Sequence, residues 1–148
     1  YSCYNEGSVR EYQSQNRQFG LGKNFERSGS FGPWLVTKDE FGDPAEKTLV
    51  TRLNGIERQR AEISGMLFDV AQIVAYLSEG YTLQPGDVIA TGTPGALPLR
   101  PGEEPEAPKG PVVVEGQLHM RDGDVCEVEI DGIGILSNPI IEDPTPKP

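Results

Sequence analysis

At 148 residues and 36% hydrophobic content, the chain has the size and composition of one globular domain that buries a core. Its formal charge of −10 and pI near 4.5 argue against nucleic acid or an anionic membrane as partner, because a polyanion would be repelled rather than steered in. No membrane-length apolar run or signal peptide is visible. Cys3 and Cys126, far apart and outside any C-x-x-C, point to two small buried thiols in a reducing cytoplasm rather than to zinc or a redox pair.

The first 25 residues, YSCYNEGSVREYQSQNRQFGLGKNF, bring a carboxylate (Glu6), a guanidinium (Arg10), an amide (Gln13) and an ammonium (Lys23) into two short elements and the loop joining them. An apolar strand opens the chain. Ser8-Val9-Arg10-Glu11 has the S-x-x-E form of a capping box, which predicts a short helix from Ser8. Arg10 and Gln13, three apart, fall on one face of that helix, beside free N–H groups whose positive potential suits the carboxylate of a small acid. Spacing alone favours a plainer reading, a charged and solvated first turn. Residues 16–32 read as loop around Lys23. Gly22-Lys23-Asn24 is not a phosphate-binding loop, since Arg17 stands where that motif needs Gly and Asn24 where it needs Ser or Thr. Phe31-Gly32-Pro33-Trp34-Leu35-Val36 then supplies apolar bulk expected in the core.

Between Thr48 and Glu62, two alternating segments flank Asn54-Gly55, the dipeptide best suited to a type I′ turn, and predict a β-hairpin. Asp69 caps the one main amphipathic helix, whose stripe of Val70, Ile73, Val74 and Leu77 reads as core, with Gly80 placed to end it in the left-handed conformation. Leu83 to Asp87 turn the chain into Val88-Ile89-Ala90, an apolar run that reads as a buried strand delivering the loop Thr91-Gly92-Thr93-Pro94-Gly95. Residues 96–116, with five prolines and four glutamates, are expected to be an exposed and mobile insertion. Val125, Glu127 and Glu129 alternate with Cys126, Val128 and Ile130, and Asp131-Gly132 turns this strand into a second hairpin. A metal cluster at Glu127, Glu129 and Asp131 is conceivable, but charged residues alternating with apolar ones are what a half-buried strand requires. Ordered structure is expected to end in the tail, residues 139–148. The sum is a mixed α/β, mostly β, architecture.

The segments YSCYNEGSVREYQ, LGKNF, FGPWLVT, TRLNG, LFDVAQIVAYLS, LQPGDVIATGTPG and DGDVCEVEIDGIGILSNPI, in this order, resemble the C-terminal catalytic part of the fumarylacetoacetate hydrolase family, including its acylpyruvase-like and 2-hydroxyhepta-2,4-diene-1,7-dioate isomerase-like members. The resemblance implies a β-roll or sandwich with the site at one open end, a homodimer, and a Mg²⁺ or Mn²⁺ ion that chelates a small 2-oxo or β-diketo acid and stabilises an enolate. Three carboxylates hold that metal in the family, two in a Glu-x-Glu pair and one Asp after Asn. Here Asn5-Glu6 stands at the last position, so Glu6 is the implied ligand, and the Glu-x-Glu pair, which lies upstream of this position in the family, is absent from residues 1–148.

Lys23 matches the family lysine aimed at the substrate oxygens, Arg10 and Gln13 match substrate-positioning residues, and Thr91 matches the threonine that hydrogen-bonds substrate. Ala96-Leu97-Pro98 replace the small glycine-rich residues that usually follow. The base of the family's hydrolases, a His-Glu pair on an N-terminal lid, has no counterpart, and His119 matches no catalytic position. No G-x-S-x-G supplies a nucleophilic serine. The implied activity is C–C bond hydrolysis of an acylpyruvate- or fumarylpyruvate-like acid. Decarboxylation, isomerisation or hydration of a related diacid is the alternative, and a non-catalytic binding subunit is a third. Because the family carries a further N-terminal segment, residues 1–148 are expected to be a single but partial domain of a longer polypeptide.

Overall fold

Period-two alternation builds the larger of two open sheets. A computed structural model describes residues 1–15, 19–99, 101–103 and 119–142. A first hairpin pairs β3 (Thr48–Leu53) with β4 (Ile56–Glu62), and a second pairs β5 (Val125–Ile130) with β6 (Gly134–Pro139). β3 and β5 join them into an antiparallel sheet of order β4-β3-β5-β6. Asn54 and Gly55 both take positive φ, 52° and 75°, as a type I′ turn demands. Asn54 also ties the turn to the start of β5, donating its amide to Asp124 Oδ1 (2.8 Å) and accepting from Val125 N (2.9 Å). That side-chain bond holds the Asp124 carboxyl below its ordinary range.

On β5, Cys126, Val128 and Ile130 turn inward, leaving Glu127 and Glu129 on the alternate face. Glu129 accepts from Arg52 (2.6 Å), and Asp131, beyond the strand, accepts from the backbone N–H of Thr48 (3.1 Å).

The smaller sheet is a ribbon of β1 (Cys3–Glu6) and β2 (Gly29–Gly32), packed against β5 and β6. Cys3 has 0% exposure at this junction and donates its thiol to Gly134 O (3.6 Å). Around it lie Val36, Phe41, Val128, Ile130, Ile133 and Leu136, with Tyr1 stacked on Phe41 at 4.5 Å. Burial pushes the thiols of Cys3 and Cys126 above the ordinary value, so both act as small hydrophobes. The architecture is thus mostly β with few helices, as expected.

Several local expectations give way to tertiary context. The first helix, α1 (Arg10–Gln13), starts at Arg10 with Val9 as its uncapped N-cap, because the Ser8 hydroxyl donates to Glu6 O (3.2 Å) instead. Gly29 to Gly32 form a strand inside the expected loop, since β1 offers them a ladder. Trp34 is 68% exposed, and Phe31 and Leu35 are exposed as well. Val36 is the buried residue of that run, because its backbone is bonded in both directions to Tyr1. A short helix α2 (Lys38–Phe41) then delivers Phe41 to the core.

The main helix, α3 (Val70–Gly80), has the reciprocal Asp69–Gln72 capping box, yet none of its residues is buried. Its apolar stripe faces an open cavity instead of the core. Gly80 is the last helical residue rather than a left-handed cap, and the chain leaves through an extended Tyr81. Val88-Ile89-Ala90 is not a strand, because no ladder partner lies beside it among the described residues, and Val88 is 67% exposed.

Chain order persists past Asn138: Ile140 N donates to Asp124 O and Glu142 N to Asp122 Oδ1. Of the tail, residues 143–148 lie outside the described residues, as do residues 100 and 104–116 of the insertion. No helix among the described residues is long and apolar enough to cross a membrane.

Leu136, packed in the core, and Trp34, largely solvated, should respond oppositely to truncation. Leu136→Ala is expected to lower unfolding free energy by about 2–5 kcal/mol and Trp34→Ala by less than about 0.5 kcal/mol. Urea midpoints at unchanged m-value measure both.

Candidate active site

Two glycines bring the Lys23 loop onto β1 and α1. Gly7 N donates to Ser28 O (2.8 Å), and Val9 N donates to Gly22 O (2.9 Å), so the chain on either side of α1 is stitched to the returning loop. Both approaches exclude a side chain. A Cβ on Gly7 would collide with the Ser28 carbonyl oxygen, and one on Gly22 would lie 2.5 Å from Gln13 Cα. Tyr12 and Phe25 close the same contact edge to face, with ring centroids 4.9 Å apart. The single 3₁₀ turn Leu21–Lys23 then ends with its ammonium beside the end of β1.

Lys23 Nζ donates to Glu6 Oε2 at 2.6 Å, with side-chain exposures of 24% and 38%. On α1, Arg10 Nη1 donates to Gln13 Oε1 at 2.5 Å. Gln13 is buried, so it fixes one edge of the guanidinium from below. Behind Glu6, Asn138 of β6 accepts from Asn5 Nδ2 (3.0 Å) and from Ser30 Oγ (2.8 Å), locking β1 and β2 to the large sheet. Four of the sequence-derived residues therefore form two bonded pairs on packed elements, joined by the close contact of Gly22 with Gln13. The positioning groups Gly7, Gly22 and Asn138 carried no sequence signal beyond turn propensity and a strand end.

Thr91 stands apart. It is exposed and lines a cavity of about 630 Å³ with Tyr1, Phe41, Ile63, Phe68 and Ile73, and Glu6, Arg10, Gln13 and Lys23 are not in its wall.

Divalent cations of the Mg²⁺ type ask for an octahedron of oxygens. The cluster offers one carboxylate, already paired with an ammonium, and no group of three or more His, Cys, Asp or Glu lies together among the described residues. These side chains do not by themselves fit a resident metal.

The model of the fumarylacetoacetate (FAA) hydrolase C-terminal family matches residues 1–141. Oxaloacetate tautomerase YisK of Bacillus subtilis is 36% identical over 140 residues, which are 95% of this chain and 42% of that protein. Among solved structures, the 2-hydroxyhepta-2,4-diene-1,7-dioate isomerase of Mycobacterium marinum superposes with a TM-score of 0.77 at 34% identity, over 98% of this chain and 48% of that one. The fumarylacetoacetate hydrolase of Exiguobacterium antarcticum superposes with a TM-score of 0.75 at 38% identity, covering 92% and 44%. The chain belongs to the fumarylacetoacetate hydrolase family. It spans about half the length of the relatives it matches.

Gly22→Ala tests the glycine contact. Forcing a methyl against the Gln13 backbone is expected to remove about 1–3 kcal/mol of stability. It should also shift the NMR resonances of Gln13 and Lys23 while leaving those of the Asn54-Gly55 turn in place.

Proposed function

We propose that the protein is an enzyme acting on a small 2-oxo or β-diketo acid, with C–C bond hydrolysis as its reaction. The observation that carries this reading is the Lys23 ammonium held at the end of β1 by a carboxylate it can release. A half-exposed ion pair contributes about 0–1 kcal/mol, so substrate can replace Glu6 at little cost. An oxygen that gains negative charge as the enolate forms binds the ammonium more tightly than the neutral carbonyl does, and that difference lowers the barrier.

Arg10, its guanidinium oriented by Gln13, is suited to grip the substrate carboxylate through a planar fork that lysine cannot reproduce. Gln13 then offers its amide N–H to the same substrate. Thr91 enters the proposal as a further hydroxyl donor from the cavity wall. A second reading is keto–enol tautomerisation or double-bond isomerisation, which needs the same enolate and is favoured by the tautomerase and the isomerase among the relatives. Release of two carbon fragments distinguishes hydrolysis from isomerisation, in which all atoms stay in one product.

Lys23→Met keeps the aliphatic stem and removes the charge. Loss of one preorganised donor of this kind costs about 2.7–4 kcal/mol, so kcat should fall by about 10²–10³ in a variant with unchanged circular dichroism. A folded Lys23→Met protein with normal kcat overturns the reading.

The Mg²⁺ or Mn²⁺ that goes with this chemistry would find one oxygen ligand in the cluster, Glu6. Dedicated but weak cation sites reach Kd values of about 10⁻⁴–10⁻³ M. Calorimetric titration of Mn²⁺ into the 148-residue protein is expected to show weaker binding than that, and weaker still in Glu6→Ala. Tight binding would instead place a complete metal site on this chain.

A further inference from the structure

The Thr91–Gly95 loop has little of its own to hold it. Thr91, Gly92, Thr93 and Gly95 are exposed, and among the described residues the backbone of 91–93 enters no ladder. What holds the loop is the free edge of β4. Between Thr51 and Arg52 the β3–β4 register jumps from Gln59 to Glu57, which leaves Arg58 as a bulge residue with no partner on β3. The bulge turns the edge toward the incoming chain: Leu97 N donates to Arg58 O (2.6 Å), and Gln59 bridges Ala96. The Arg58 guanidinium grips Glu103 with two bonds of 2.7 Å, fixing the far side of the same segment. Within this bracket one side chain reaches the loop itself. Gln59 Nε2 donates to Thr93 Oγ1 (3.0 Å) and to Pro94 O (2.8 Å).

We propose that Gln59 is a positioning residue that sets the place of the Thr91–Gly95 loop through these two donated hydrogen bonds. The chemistry requires a donor. Pro94 O can only accept, and a single –NH₂ carries the two hydrogens that both bonds use. A carboxylate of the same shape would set acceptor against acceptor at Pro94 O and keep only a bond that the Thr93 hydroxyl donates, which loosens the loop. The effect on turnover rests on the reading of Thr91 as a substrate contact, whereas the effect on the loop does not.

Hydrogen–deuterium exchange of residues 91–97 is the direct test, with the β3 and β5 amides as internal reference. The bond to Pro94 O is lost in Gln59→Glu, so exchange in 91–97 should speed by about three- to tenfold. The β3 and β5 amides should stay unchanged, and Gln59→Lys, which restores donors, should return most of the protection. Thr93→Val removes one acceptor without touching β4 and should give a smaller increase of the same kind, which keeps the test valid even if a change at Gln59 disturbs the sheet. Exchange in Gln59→Glu equal to that of the native protein overturns the proposal.

In parallel, turnover of oxaloacetate should show KM raised several-fold in Gln59→Glu and in Thr91→Val, with kcat of Gln59→Glu within twofold. Faster loop exchange with oxaloacetate kinetics unmoved by either change would leave Gln59 as the loop's anchor and remove Thr91 from the site.

Discussion

The β1–β2 ribbon lies on β5 and β6 with Cys3 shut away from solvent, and the positions of the charged groups follow from that contact. A thiol at this point is small enough to let two backbone layers approach, and its hydrogen finds Gly134 O. Tyr1, Phe41 and Val36 close one end of the junction, while Asn138 binds Asn5 and Ser30 at the other. The first end is apolar, and its Tyr1 and Phe41 also line the cavity. The second is polar and bonded, and it holds the strand whose last residue is Glu6.

From Glu6 onward the chain makes its charged cluster on a different principle. Lys23 and Glu6 are partly solvated, so their attraction is too weak to organise the loop. The backbone bonds of Gly7 and Gly22, with the Tyr12–Phe25 contact, do that work, and the ion pair forms because the loop is already there. A weak pair on a firm backbone suits a binding site, where the charges must exchange partners without disturbing the fold.

The large sheet divides its two faces by the same economy of partners. Its inner face carries Cys126, Val128 and Ile130 into the core, and Arg52 with Glu129 covers the other. The β4 edge, bulged at Arg58, is spent on holding residues 93–97 and Glu103. By contrast α3 has a well-formed cap but no buried residue, and with Ile89 it leaves apolar surface around the cavity. Local helix signals and tertiary burial are separate matters: the Asp69–Gln72 box needs four consecutive residues, whereas burial of Ile73 needs a neighbour.

Short-range rules were legible in the residues themselves. Asn54-Gly55 specified its hairpin because both positions need positive φ, the β5 alternation named Cys126, Val128 and Ile130 as inward, and Arg10 with Gln13 shared a face at a spacing of three. The family, too, could be read from motifs distributed over the whole chain. Tertiary structure alone decided that Gly29–Gly32 would be a strand, that Val88–Ala90 would not, that Trp34 would face solvent, and that Glu6 would meet Lys23 across 17 residues. Each of these depends on a partner distant in the chain. A strand exists only where another offers its hydrogen bonds, a side chain is buried only where something covers it, and neither condition is written in the local sequence.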